Sequence, residues 1–587
     1  MRGVVNAPTT LTDACDVVRE DADMTAVALP VVDTAELRKA RGAFFTPEPI
    51  ARYVTEWAVR SSADRVLEPS CGEAAFLLAT VEHLARLHAT TPGSDAAASG
   101  VLDGVELHAD SAAAAEQALR RAGVNARVTP GDFFCVEPDG SYDVVIGNPP
   151  YVRYQDFAGE ARARSRAAAL RAGVPLTNLA SSWAAFTVHS ALFLKPGGRM
   201  GLVLPAELLS VNYAAEVRAF LLREFARVDL VVFTERVFPG VLEEVVLLLA
   251  EGYQRGPADH AGIVEVRNAA DLRTRPDRRA WTPTDARDKW TPSLMPAAAL
   301  DVYSRLTTDA ETFTGLETWG DTTLGMVTGN NKYFTLTPAD VVKLGLGPDD
   351  VLRLSPPGSR HLRGLSFTAA AWHELGERGA ATWLFRPGAQ PSSAARAYIA
   401  RGEAGGVPKA YKCRVREPWW QVPLVPPADL LLTYMNADTP RLSTNHAGVR
   451  HLNSVHGLYL RDEFHSAGRT LLSLASLNTL TLLGAEIVGR SYGGGMLKLE
   501  PREADQLPVP APSLVIGHGD ALEAVRTAVS EALARGDLFG AVRLVDDVVL
   551  GAALGVPANG RAALVDAHAG LTDRRVARGA ASTASRR

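Results

Sequence analysis

Asp143-Val144-Val145-Ile146-Gly147-Asn148-Pro149-Pro150-Tyr151 is the stretch from which the rest of the chain can be read. Val144, Val145 and Ile146 are β-branched in succession, the pattern of a buried strand. Gly147 ends it. Pro149 and Pro150 then stop any ladder or helix, because neither carries an N–H and both fix φ. Asn148 precedes a proline and is pushed to an extended backbone. The result is a rigid hook at the carboxyl end of a strand, from which one amide and one aromatic ring, Tyr151, project. In open α/β sheets, ligands bind at that end of the strands.

Outward from the hook, each neighbouring strand end carries a residue suited to a ligand. Residues 65–78 read as strand, tight turn and helix, with Glu68, Pro69, Cys71 and Gly72 in the turn. Small residues there let a ligand approach the backbone above a helix N-terminus. Residues 101–107 form a strand ending in Glu106, an acid placed to hold ribose hydroxyls. An alanine-rich helix over 111–121 and a third strand over 126–129 follow. Next come Asp132, able to accept from an adenine amino group, and Phe133, able to pack on an adenine face. Earlier in the chain, Thr46 and Pro47 read as the N-cap and first position of a helix. The Thr46 hydroxyl is also a candidate contact for a cofactor carboxylate. Downstream, a helix over 183–194 is stopped by Lys195-Pro196-Gly197-Gly198. A strand over 199–204, a helix over 206–225 and strands over 228–234 and 245–250 complete an α/β domain.

The chemistry that fits the hook is methyl transfer to a planar amine. The Asn148 oxygen and the Pro149 carbonyl can both accept hydrogen bonds from an NH2 group. As the amine attacks, its nitrogen becomes tetrahedral and positive, and two fixed acceptors favour that change over the planar ground state. Tyr151 can stack on the ring that bears the amine. Read in isolation, the hook is equally a strand-ending proline turn.

Composition bounds the rest. The chain has 587 residues, 47% hydrophobic and 22% charged, with a net charge of −5. That length suggests about two to four domains. Any nucleic-acid binding must come from a local basic surface. Cys15, Cys71, Cys135 and Cys413 are scattered without CxxC spacing, which argues against a zinc site and a disulfide framework. The start lacks an apolar leader core and no apolar run reaches membrane-spanning length, so no membrane partner and a cytoplasmic location are expected.

The strand-end residues, in this order, resemble the gamma-type adenine-specific DNA methyltransferases of restriction–modification systems. The likeness rests on Phe44-Phe45-Thr46-Pro47, the loop from Leu67 to Phe76, Glu106, Gly131-Asp132-Phe133 and Asn148-Pro149-Pro150-Tyr151. It implies a Rossmann-like methyltransferase domain, S-adenosylmethionine as cofactor, double-stranded DNA as partner and no catalytic metal. It also implies cofactor contacts at Thr46, Glu68, Pro69, Cys71, Gly72, Glu106, Asp132 and Phe133. Phe238 matches the family aromatic that packs against an extruded base; read without the family, it is a core or turn aromatic. There is one departure: Ala74 stands where the family usually has a second glycine. Two rival readings are a methyltransferase-like DNA-targeting subunit without activity, suggested by Ala74, and a protein glutamine methyltransferase, whose substrate amide is also planar.

The second half interleaves cations and rings: Lys409, Lys412, Arg414 and Arg416 with Tyr411, Trp419 and Trp420. Cations serve phosphates and guanine edges, and aromatics stack or wedge. With Thr328-Gly329-Asn330-Asn331 and the glycine turn at 493–495, this stretch resembles the target-recognition part of the same methyltransferases. The expected layout is an arm over 1–36, a catalytic domain over 37–255 and a connector over 256–300. A mixed α+β DNA target-recognition domain over 301–515, a helical cap over 516–572 and a disordered tail over 573–587 follow. Only 36 residues precede the methyltransferase pattern and no acid–acid–Lys cluster stands out, so a separate restriction endonuclease is the candidate partner.

Overall fold

The strand beneath the hook lies at the centre of the first half of the molecule. The structure is a computed structural model that describes residues 46–90, 101–124, 126–152, 159–235, 237–238, 244–273, 277–492 and 495–584. The expected arm over 1–36, and Phe44 and Phe45, lie outside the described residues. The chain divides into two units, Met1–Trp290 and Thr291–Arg587.

In the first unit, helix α1 (Glu48–Ala58) precedes β1 (Val66–Glu68), α2 (Ala75–Thr90), β2 (Leu102–Glu106), α3 (Ala109–Arg121), β3 (Arg127–Pro130) and β4 (Tyr142–Gly147). Then come α4 (Gly159–Arg171), α5 (Ser182–Ala191), β5 (Leu194–Pro205), α6 (Ala215–Glu224), β6 (Phe225–Phe233), β7 (Val245–Tyr253), β8 (Ala261–Val266) and β9 (Arg278–Trp281). All nine strands form one sheet in the order β3-β2-β1-β4-β5-β7-β6-β8-β9. β1 to β5 pair in parallel, and β7 runs antiparallel between β5 and β6. The chain winds outward from β1 to β3, then restarts at β4 on the other side of β1. The crevice at such a reversal is where doubly wound sheets take their ligand. Val144, Val145 and Ile146 are fully buried, as their β-branched run requires, each burial worth roughly 1.5–3 kcal/mol. Val66 and Leu67 pair with Val144 and Val145, so the first turn and the hook leave the sheet side by side.

Besides the helix expected over 206–225, which is broken into Glu207–Ser210 and Ala215–Glu224, three elements differ from expectation. α5 ends at Ala191 and β5 already begins at Leu194, so the 195–198 turn lies inside a long strand that gains its ladder from β4 and β7. The stretch over 256–300 is no connector: β8 and β9 extend the sheet. Its charges read as a linker, but Arg278 is paired at 2.7 Å with the buried carboxylate of Asp229 on β6. The third concerns the tail, in the second unit.

That unit is built on a five-stranded sheet of Gly320–Leu324, Val455–Leu460, Leu430–Thr433, Leu442–Asn445 and Ser366–Phe367, in that spatial order. A three-stranded sheet of Thr335–Leu336, Trp383–Phe385 and Val351–Arg353 lies in the same unit. The helices Gly519–Ala534, Leu538–Asp546 and Ala558–Ala584 share one apolar core with Leu430, Leu458 and Leu480. The tail expected to be disordered from 573 continues that last helix to Ala584. Its arginines read as solvated, yet Arg575 is 3% exposed and pairs with Glu486 at 2.8 Å. Among the described residues no single helix is long and apolar enough to cross a membrane.

Candidate active site

The Asn148 carboxamide is held at both ends. Its Nδ2 donates to the Thr46 hydroxyl at 3.2 Å, and its Oδ1 accepts from the Tyr151 hydroxyl at 2.8 Å. Thr46 was expected to cap a helix; instead α1 has Pro47 at its N-cap, and the Thr46 hydroxyl is taken up by the hook. The Tyr151 hydroxyl also lies 3.0 Å from the Val203 carbonyl on β5, so its one proton is shared between two acceptors. A carboxamide oxygen carries two lone pairs and can accept from more than one donor. A Cβ on Gly147 would sit 3.5 Å from Pro69 and 3.6 Å from Glu68, which places the hook against the first turn.

Beyond the hook, Ser182 at the start of α5 fixes the way out. Its hydroxyl donates to the Pro150 carbonyl and accepts from the Val152 N–H, and its own N–H donates to the Val152 carbonyl. Sequence reading missed Ser182, since nothing in its neighbourhood distinguishes it from a plain helix-start serine. The Pro149 side chain is buried against the sheet side of the hook.

Three strand ends converge next to it. The Glu106 carboxylate accepts from the Gly72 N–H at 2.9 Å and the His108 N–H at 3.0 Å, while its carbonyl accepts from Gly131 N–H at 2.8 Å. Gly72 has φ 50° and Gly131 φ 148°, and an added Cβ at either would meet open space. These glycines present bare backbone around an acid, the arrangement suited to a nucleoside. Leu107, directly after Glu106, is 63% exposed, an apolar side chain standing at a strand end. Its signal in the sequence was an apolar residue following an acid at the end of a strand.

Of the other expected cofactor residues, Glu68, Pro69, Cys71 and Phe133 turn inward, and Asp132 stays half-buried. Glu68 is buried and accepts from the Leu77 N–H at 3.1 Å; burial pushes its carboxyl well up, against the hydrogen bonds from the start of α2. Cys71 packs beneath Gly104, and burial beside Glu68 and Glu106 pushes its thiol up, so it offers backbone and no reactive sulfur. Pro69 is buried. Asp132 accepts from the Phe134 N–H and from Arg164 at 3.1 Å, an ion pair that fixes its carboxylate. Phe133 is a correction: it is 3% exposed, stacked against Phe186 and Phe193 with centroids at 5.4 and 5.0 Å. Both its faces are spent on the core, so it cannot cover an adenine. Phe238 is likewise buried, in the apolar cluster to which Tyr151 packs.

Ala74 has φ 64°, a left-handed conformation that costs an L-residue about 1–2 kcal/mol. Its methyl is fully buried in the core of the unit, turned away from the open side of the turn. The missing glycine therefore leaves the ligand side unobstructed, which removes the feature that favoured an inactive subunit.

In the second unit the expected DNA-contacting residues split into two groups. Lys409, Lys412 and Arg414 are exposed. Arg416 turns back to donate to the Thr328 carbonyl at 2.7 Å and to that of Val327. Trp419 and Trp420 pack on the core around Tyr333 and Phe334, and Trp419 donates to Glu403 at 3.2 Å. Those two carbonyls make the half-buried Arg416 an anchor, and the tryptophans lie half-buried against the core.

Residues 33–279 match the family model described as N-6 DNA methylase, and residues 287–550 match that of the C-terminal domain of type II methyltransferase M.Eco57I. The protein is an adenine-specific DNA methyltransferase. The methylase is 28% identical over 515 residues to type II methyltransferase M.XamI of Xanthomonas campestris pv. amaranthicola, covering 84% of this chain and 90% of that one. It is 22% identical to type II methyltransferase M.AccI of Acinetobacter calcoaceticus, over 80% and 85% of the two chains. The type IIL restriction–modification enzyme MmeI, solved in complex with DNA, shares the fold: TM-score 0.52 at 13% identity, over 87% of this methylase and 73% of that enzyme.

Proposed function

We propose that this methylase is the modification component of a restriction–modification system, acting on the N6 amine of an adenine turned out of duplex DNA. The observation that carries the reading is the Asn148 carboxamide, fixed between Thr46 and Tyr151 and set beside the Glu68–Pro69 turn. S-adenosylmethionine supplies the methyl carbon on a sulfonium, a leaving group that needs no acid. The residues present suit it: bare backbone at Gly72 and Gly131, Glu106 for the ribose hydroxyls, Asp132 for the adenine amine, and Leu107 in place of Phe133 for the adenine face. Asn148 Oδ1 and the Pro149 carbonyl accept from the target amine, and Tyr151 stacks on its ring. An adenine inside a duplex is out of reach of such a hook, so the base leaves the stack. The second unit reads the DNA sequence, a separate endonuclease does the cutting, and the enzyme works in the cytoplasm, where the DNA is.

Expression in a methylation-deficient bacterium, followed by single-molecule sequencing of its DNA, tests this. N6-methyladenine at one recurring sequence is expected, and none with Asn148→Ala. Unmethylated DNA in cells that make folded, cofactor-binding protein overturns the reading.

A further inference from the structure

Residues 411–414 form a single helical turn whose two sides differ sharply. Behind it, Cys413 is buried, its thiol 3.7 Å from the Thr328 carbonyl, and Arg416 donates to that same carbonyl and to Val327. Gly329, at φ 86°, lies so close that a Cβ there would come within 2.9 Å of Lys412 Cβ and 3.3 Å of the Cys413 sulfur. The Thr328-Gly329 turn and the Tyr411–Arg414 turn thus brace each other. In front, Tyr411 is 65% exposed and Val415 62% exposed. Lys412 Nζ and Arg414 Cζ lie 5.7 and 5.8 Å from the Tyr411 ring centroid, so two cations stand beside an outward ring. Both cations are exposed.

A large exposed ring normally costs hydration, and here it is held rigidly out by a buried thiol and a buried-side guanidinium. Two cations within about 6 Å of it are close enough to serve the phosphates next to a base that stacks on the ring. We propose that Tyr411 is a wedge that stacks on the bases of the bound DNA, with Lys412 and Arg414 on the adjoining phosphates. This rests on the reading of the second unit as the DNA-recognition part. A base has a π-face whatever its identity, so the wedge adds affinity and register, and base-edge readout lies elsewhere.

The test uses the full chain and a duplex carrying the site found by methylation mapping, with Kd measured at several salt concentrations. Tyr411→Ala should weaken binding roughly tenfold, as loss of one base stack does, with the slope of log Kd against log salt unchanged. Tyr411→Trp should bind as wild type. Lys412→Ala and Arg414→Ala should each lower the slope by about one. Binding by Tyr411→Ala within twofold of wild type, in a protein that still methylates the site, overturns the wedge and leaves the methylase reading standing. Unchanged slopes in both cation variants overturn the phosphate contacts. A wild-type chain that binds no duplex overturns the reading and the wedge together.

Discussion

Asn148 draws its fixity from Thr46, far upstream, and from Tyr151, three residues on. That double tether fixes the carboxamide at the strand end, and under the proposed function a fixed acceptor contributes in the transition state more than in binding. Asn148→Ala should lose roughly 3 kcal/mol of transition-state stabilisation, about a hundredfold in kcat, with Kd for DNA and cofactor within a few-fold. Single-turnover methylation with separate binding titrations decides it; a wild-type rate removes Asn148 from the chemistry. Ser182 acts one step back, through Pro150 and Val152. Ser182→Ala strands a carbonyl and an N–H, at about 1–3 kcal/mol, and loosens the hook. We expect kcat to fall roughly tenfold or more, because small misplacements of reacting groups are costly, with KM for DNA nearly unchanged. A rise in KM at constant kcat would make Ser182 a binding residue instead.

At the scale of elements, the helix Thr479–Val488 shows how the end of the chain secures the second unit. It is buried along almost its whole length and is held near each end by a charged group from the C-terminal helices. Asp546 accepts from the Thr479 N–H at 2.8 Å and its hydroxyl at 2.5 Å, where the helix dipole favours an anion. Burial wins nonetheless and pushes the Asp546 carboxyl up to about 6. A raised folded value means the stabilising contribution is whole below the ordinary carboxylate range and is lost as pH rises through about 6. Between about pH 4 and pH 6 this group should cost the unit up to roughly 3 kcal/mol. Asp546→Asn should flatten that window in denaturant titrations; a variant whose stability curve runs parallel to wild type from pH 4 to 7 refutes the assignment. Near the other end, Arg575 donates to Glu486 and to the carbonyls of Asp438 and Gly495. Arg575→Met leaves a buried carboxylate unpaired and should destabilise by about 3–5 kcal/mol, and adding Glu486→Gln should recover part of it. Urea midpoints of the single and double variants report this; equal loss in both would show that the charge pairing is irrelevant.

For the whole molecule, the two units have separate apolar cores, that of the first around the nine-stranded sheet and that of the second in a cluster around Leu430, Leu458 and the C-terminal helices with two smaller clusters around Phe334 and Phe367. Separate cores melt separately unless strongly coupled. Scanning calorimetry should resolve two transitions. S-adenosylmethionine at a hundred times its Kd should add about 2.7 kcal/mol to one of them. Arg575→Met should lower the other. If the cofactor shifts the transition that Arg575→Met lowers, the site is not where the Glu106 and Gly72 strand ends place it. A net charge of −5 also means that DNA affinity has to come from a local cluster of cations rather than from the chain as a whole, and under the proposed function Lys409, Lys412 and Arg414 belong to that cluster.

The residues between Asp143 and Tyr151 determined their own shape: β-branching makes the strand, glycine ends it and two prolines forbid continuation. The same holds for the turn at Gly72 and for Glu106 at the end of β2, because strand ends and turns are written in neighbouring residues. What a side chain faces is written elsewhere. Phe133 reads as an adenine platform until Phe186 and Phe193, more than fifty residues on, cover both its faces. Arg278 and Arg575 read as linker and tail until Asp229 and Glu486 give them buried partners. Thr46 reads as a cap until Asn148 claims its hydroxyl. Local conformation depends on the few dihedrals that neighbouring residues restrict, whereas burial and pairing depend on surfaces that meet only when distant elements pack; Ser182 acquired its place beside the hook from that packing alone.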